Sequence, residues 1–486
     1  MGLEFMQAVA NGGSLTRLDV PKTFLLTAEM RLLKKGRAGV QFGLLDSGEG
    51  WALSVDAGER AVNFMQIKNG GGVLLDRGLK RCDFELNEWY PIRISYDGVI
   101  VRAYFDENPL DGDPWPKFEF ALDLGGGAAA LDSGRGTAEF RNVAVGEMKG
   151  APAPAETYTN PVLVGADPDI LLSDGRYYLY NRVPNDPRFS EDAYLFNDSD
   201  LASLDEKGCM DAIFRVASSE DLVHWSSYTP CFFRKGVPEG AFCMSPNVME
   251  KDGLFYLFFA AGRMAGDEAF HVYYAVASSP LGPFEMRTVK PLHEDVQEIG
   301  GMPFIDDDGE VYMSFVRFDR GNHIWMMRLN VHDGVVTPDN ETTVKVASPE
   351  EPYEADEFGR IVEGGVFIHH GAWYYMLYAC CGYWGHYGEA YAVSDHVLGP
   401  YVKYPFNPIL HHNFRADGVG DGIVIYNRDR SKMYMGYHRH VSLDDIEPRM
   451  TCLDEMKFVK NPKGGPDILC VRGPSTTPQR MPFREK

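Results

Sequence analysis

Nowhere in its 486 residues does the chain hold about 18 consecutive apolar residues, so no segment has the length and apolarity of a membrane-spanning helix. The N-terminus, Met1-Gly-Leu-Glu4-Phe-Met-Gln-Ala, lacks a basic n-region and an apolar h-region, so no secretory signal is read there and a cytoplasmic location is expected. Positive charge is also scarce. Lys and Arg number 47 against 70 Asp and Glu, a formal net charge of −23. Such a surface repels phosphate backbones and anionic lipids, which argues against nucleic acid or membrane partners. C-x-x-C spacing is missing too: the eight cysteines (82, 209, 231, 243, 380, 381, 452, 470) are scattered. Cys380 and Cys381 are adjacent, an awkward start for a disulfide framework, so reduced thiols are expected.

What is abundant points to strands and turns. Apolar residues make up 44% and aromatics 13%, with 51 Gly and 30 Pro, a folded all-β composition. The length exceeds what one hydrophobic core usually fills, so two domains are expected. Residues 1–150 carry short alternating runs, Phe24-Leu-Leu-Thr-Ala-Glu-Met-Arg-Leu, Gly39-Val-Gln-Phe-Gly-Leu-Leu and Tyr90-Pro-Ile-Arg-Ile-Ser-Tyr, broken by turns such as Asn69-Gly-Gly-Gly. This spacing predicts an antiparallel β-sandwich. Gly150-Ala-Pro-Ala-Pro-Ala-Glu reads as a semi-rigid linker.

Beyond it a turn followed by an aromatic strand recurs, beginning at Asp174, Asp252, Asp308, His370 and Ser431. A second echo follows in Ala217-Ser-Ser-Glu-Asp-Leu-Val-His-Trp, Ala277-Ser-Ser-Pro-Leu-Gly-Pro-Phe and Val393-Ser-Asp-His-Val-Leu-Gly-Pro-Tyr. Units of this kind are what propeller blades require, so residues 157–486 are expected to form five blades. The innermost strand of each blade faces the axis, where acids from distant positions can meet. Two blade openings place an acid in an otherwise apolar strand, Asp167 in Asn160-Pro-Val-Leu-Val-Gly-Ala-Asp-Pro-Asp-Ile and Glu363 in Arg360-Ile-Val-Glu-Gly-Gly-Val-Phe-Ile. Burying a carboxyl there is costly without a use. Glycoside hydrolysis with inversion uses such a pair, one acid and one base.

These segments, with Ser279-Pro-Leu-Gly-Pro-Phe, Asn407-Pro-Ile-Leu, Tyr437-His-Arg-His and Glu447-Pro-Arg-Met-Thr-Cys-Leu-Asp, resemble glycoside hydrolase family 43 over about 157–486. The resemblance implies a general base at Asp167 and a general acid at Glu363, with Asp169 the local competitor for the base. It also implies an inverting exo-glycosidase acting on plant-type oligosaccharides, releasing arabinofuranose or xylose, with no required cofactor. Two departures stand out. The family's third carboxylate, which tunes the acid, falls at Gly300, and the nearest acid is Glu298, a substitute for that part; without it the protonation of Glu363 rests more on desolvation. In blade five Gly418-Val-Gly-Asp421-Gly carries an acid where the family has His, so Asp421 is read as a substrate contact or a ligand of a structural calcium ion. Blade two reads Met244-Ser-Pro-Asn247, also atypical. Tyr383 and Trp384 are candidates for stacking a sugar, and His438 for reaching the funnel. The departures keep open a non-hydrolytic carbohydrate-binding propeller and altered specificity, such as galactofuranoside or fructan. No Arg-Asp-Pro motif supports the fructan reading.

Overall fold

The computed structural model describes residues 4–5, 16–69, 71–75, 80–81, 84–108, 110–124, 127–134, 137–148, 156–182, 212–262, 269–357 and 359–482. Among these there is no α-helix, and the chain is nearly all β-strand. The N-terminal part is a sandwich. One sheet runs in the order Glu4–Phe5, Ala138–Glu147, Phe24–Leu32, Trp89–Tyr96, Ile100–Phe105 and Phe118–Ala121. The other runs Thr16–Asp19, Ala128–Asp132, Arg37–Leu44, Gly50–Asp56, Ala61–Lys68 and Gly71–Leu74. Strict alternation along Phe24–Leu32 puts Phe24, Leu26, Ala28, Met30 and Leu32 inward, as one face packed on a second sheet demands. The linker read at 150–155 lies outside the described residues.

Four antiparallel sheets and a fifth, extended one make the propeller. Their inner strands are Asp169–Ser173, Phe242–Lys251, Glu298–Ile305, Val362–His370 and Gly420–Tyr426, in blades one to five. Each recurrent aromatic segment forms the second strand of its blade: Arg176–Arg182, Leu254–Gly262, Val311–Phe318, Trp373–Cys380 and Met433–Arg439. The aromatics recur because they fill the seams. Phe214, Phe232 and Phe259 pack between blades one and two, and Tyr375, Tyr391 and Tyr437 between four and five.

Blade five closes the ring. Leu163–Val164, from the start of the propeller, pairs with Met450–Thr451, so the two ends of the domain share one sheet. Asn160 locks this closure: its amide donates to the Leu453 carbonyl at 2.9 Å and accepts from the Leu453 N–H at 2.8 Å. The sandwich docks on the same blade. Phe414 inserts against Phe64 and Phe120, with ring centroids 6.2 and 4.7 Å away. Glu119 accepts from Arg472 at 2.8 Å, Thr477 at 2.7 Å and Gln479 at 3.2 Å. The six described cysteines are free thiols, five of them buried.

Candidate active site

Each inner strand is interrupted at its axial end by a residue of positive φ: Asp167 (50°), Ser245 (53°), Gly300 (64°), Gly364 (65°) and Asp421 (55°). In blades two to five the strand register slips at this residue, the mark of a bulge that re-aims side chains. The four bulges, and the kink at Asp167 just ahead of the first inner strand, therefore all lie at the N-terminal ends of the inner strands. Asp167 and Asp421 occupy the kinked position itself, and Glu363 directly precedes it. Asp and Asn tolerate left-handed backbone better than most residues, so an acid is affordable at such a kink.

Asp167 is largely buried and ionically paired. Arg449 Nη1 lies 2.8 Å from its Oδ1, and the Asp167 backbone N–H donates to His438 Nδ1 at 3.3 Å. His438 is 1% exposed, and burial followed by the Arg449 charge pushes its pKa down to about 3. It is therefore neutral at working pH and braces Asp167 from beneath, stacked on Tyr387 at 5.6 Å. Arg449 in turn lies over the Tyr383 ring, 4.7 Å from the centroid.

Glu363 has the opposite environment. Tyr387 Oη donates to its Oε1 at 2.7 Å and Asn322 Nδ2 to its Oε2 at 2.8 Å. Burial nevertheless raises its pKa above the usual carboxylate value, and the negative charge of Asp167 adds to the rise. The two acids thus act on each other electrostatically, with a cation held against Asp167 and burial around Glu363.

Asp421 joins them. Burial, then the charges of Asp167, Glu363 and Glu389, hold its carboxyl well above the ordinary range. Glu389 accepts the Gly422 N–H at 2.5 Å, and burial raises its pKa to about 8. Asp421, Asp167 and His438 together offer two carboxylates and one imidazole. Calcium takes about six to eight oxygens, and the Arg449 cation already occupies Asp167, so these residues do not build a calcium cage.

Other candidates are placed elsewhere. Glu298, fully buried, pairs across the strand with Arg317 at 2.7 Å and with His293 at 2.8 Å. That pairing commits its carboxylate away from the gap at Gly300, where an added Cβ would meet nothing within 4 Å. Asp169 turns down the axis, accepting the Val248 N–H at 2.7 Å, and burial raises its pKa to about 7. With Asn247 it lines a cavity of about 290 Å³ toward the far end of the inner strands. The Tyr383 and Trp384 rings lie 4.3 Å apart between centroids, tilted by 32°, and Trp384 stays 44% exposed. Arg449, Tyr387 and Asn322 were not singled out in the sequence. Tyr387 ends the aromatic run from Cys381, and Arg449 belongs to Glu447-Pro-Arg; Asn322 gave no signal.

A five-bladed propeller with two oppositely conditioned acids at one end of its axis has the layout of a sugar-cleaving hydrolase. The family model for glycosyl hydrolases family 43 matches residues 158–462, and the chain belongs to that family; it is a glycoside hydrolase with a carbohydrate substrate. It is 25% identical over 313 residues to a beta-D-galactofuranosidase of Aspergillus niger, covering 62% of this chain and 82% of that protein. It is 26% identical over 224 residues to a xylan 1,3-beta-xylosidase of a Vibrio species, covering 43% of this chain and 40% of that protein. The chain thus spans less than half of the Vibrio relative. The crystal structure of an endo-1,4-beta-xylanase from Bacteroides thetaiotaomicron matches with a TM-score of 0.52 at 25% identity, over 65% of this chain and 97% of that one.

Proposed function

We propose that this glycosidase inverts the anomeric centre and acts from a chain end, releasing an arabinofuranosyl or xylosyl unit, with Asp167 as general base and Glu363 as general acid. The observation that carries this reading is the contrast between the two carboxyls. Asp167 is held beside Arg449 at 2.8 Å, which favours the ionised form a base needs. Glu363 is buried with its pKa raised, which favours the protonated form an acid needs. In the proposed step Asp167 takes a proton from water as its oxygen forms the new bond to the anomeric carbon. Glu363 gives its proton to the glycosidic oxygen as that bond breaks. Tyr387 and Asn322 hold the Glu363 carboxyl in place, and the exposed ring of Trp384 is the surface we assign to the sugar leaving group. The names of the Aspergillus and Vibrio relatives support terminal release and leave the sugar to be tested among galactofuranosyl, xylosyl and arabinofuranosyl units. The test is a panel of aryl glycosides of these sugars followed by proton NMR. First appearance of the inverted anomer is expected; first appearance of the retained anomer refutes the mechanism.

A further inference from the structure

Three clusters of metal-ligating side chains occur among the described residues. The one at Asp167 holds the Arg449 guanidinium, as above. The one at His369 pairs a single imidazole with Asp306 and Asp307, and Asp306 already accepts from Tyr374 Oη at 2.7 Å. The third differs in donor set and in place. His386 Nδ1 lies 3.1 Å and His412 Nδ1 3.9 Å from the same oxygen, Asp417 Oδ1. The two imidazole centroids are 4.0 Å apart, and one ligand atom from each residue falls within 4.8 Å of the others.

We propose that His386, His412 and Asp417 form a binding site for a divalent transition-metal ion of the zinc class on the wall of the catalytic mouth. Two nitrogens and one carboxylate suit zinc or cobalt far better than calcium or magnesium, which take oxygen. Ligand atoms around tetrahedral zinc lie about 3.3 Å apart, given bonds of about 2.0–2.1 Å; the His386–Asp417 pair already has that spacing, and His412 must move inward to reach it. Side-chain exposures of 8% for His412 and 7% for Asp417, against 51% for His386, leave the fourth position facing solvent. A single hydrogen bond from His386 to Asp417 would not require a second imidazole tilted against it, and that second ring, His412, is buried. Two imidazoles converging on one carboxylate oxygen are a donor set that a transition metal takes.

The location gives the ion a consequence. His386 lies between Tyr383, whose ring underlies Arg449, and Tyr387, which donates to Glu363. Asp417 precedes the kink at Asp421 and accepts, through its backbone carbonyl, the His440 N–H at 2.9 Å. His440 Nε2 in turn lies 2.6 Å from the Tyr383 carbonyl oxygen. An ion here would clasp the loop that carries both tyrosines to the approach of blade five. The inference goes beyond the catalytic reading, because metal uptake is measured without turnover.

The test uses the full chain after dialysis against a chelator, titrated with Co²⁺ alone and then with Zn²⁺. One Co²⁺ per chain with visible d–d absorption, displaced by Zn²⁺, is expected, together with a raised melting temperature. His386→Ala, at a half-exposed position, and His412→Ala should each weaken uptake about 100-fold or more, while His369→Ala leaves it intact. Circular dichroism reports whether each variant is folded. Absence of stoichiometric uptake by the unmodified chain, or uptake unchanged in folded His386→Ala, overturns the proposal.

Discussion

Replacing Arg449 with methionine separates the charge of this residue from its bulk and tests how the two carboxyls are set. Its guanidinium is 2.8 Å from Asp167 Oδ1 and only 7% exposed. Two unit charges about 4 Å apart at an effective dielectric of about 20 interact by about 4 kcal/mol. Water reaching its partly exposed carboxylate screens some of this, so removing the cation makes ionised Asp167 harder to form by a fraction of that energy. Arg449 also lowers the pKa of Glu363, so its removal raises the acid as well. The base must be ionised and the acid protonated, so both limbs of the bell-shaped kcat/KM profile should move to higher pH, the acidic limb further. Steady-state kinetics at closely spaced pH values on an aryl glycoside, with folding checked by near-ultraviolet circular dichroism, reads this directly. An acidic limb unmoved or displaced to lower pH would refute the assignment of Arg449 as the group that keeps Asp167 ionised.

Tyr387→Phe removes a hydrogen bond that favours ionised Glu363; the basic limb should move to higher pH, and a move to lower pH would contradict the geometry. Gly300→Asp places a carboxylate in open space at φ 64°, a backbone that Asp tolerates; the protein should fold, and the added negative charge should raise the basic limb again. Glu119→Gln tests the docking of the sandwich. Burial raises the pKa of Glu119, but Arg472 and Arg102 outweigh it and hold the net value below normal. Its contribution is therefore present above the unfolded value of about 4.3 and lost as pH falls through the lower folded value. At pH 7 the variant should lose about 3–5 kcal/mol in urea unfolding, as when one member of a buried pair is removed, and the difference from wild type should shrink toward pH 3.

The fold was legible because a propeller repeats its grammar. Each turn plus aromatic strand in the sequence is the second strand of a blade, and the two acids stood out because Asp167 and Glu363 interrupt apolar strand openings. What supports them was not legible. Arg449, Asn322 and Tyr387 come from three different segments, and only closure of the ring through Leu163–Val164 and Met450–Thr451 brings Arg449 under Asp167. Glu298 was favoured because it is two positions from Gly300, but cross-strand register gives it to Arg317, and a charge paired at that distance does not reorient. Acids in a tight turn such as Asp306-Asp-Asp-Gly are usually solvated, yet Tyr374 and His369 pack on Asp306 and it is only 8% exposed. His438, a candidate for reaching the funnel, lies buried against Asp167, which its imidazole underpins; its depth along the axis is not encoded in the local sequence.

Division of labour between the two acids is tested most directly by varying the leaving group. A dinitrophenolate departs without a proton, whereas a sugar alcohol needs one. Glu363→Ala should therefore retain substantial turnover of a dinitrophenyl glycoside while losing about 10²–10⁴-fold on the corresponding disaccharide, and Asp167→Ala should lose comparable activity on both. Equal losses on the two substrates for Glu363→Ala, or preserved activity of Asp167→Ala on either, would contradict the account.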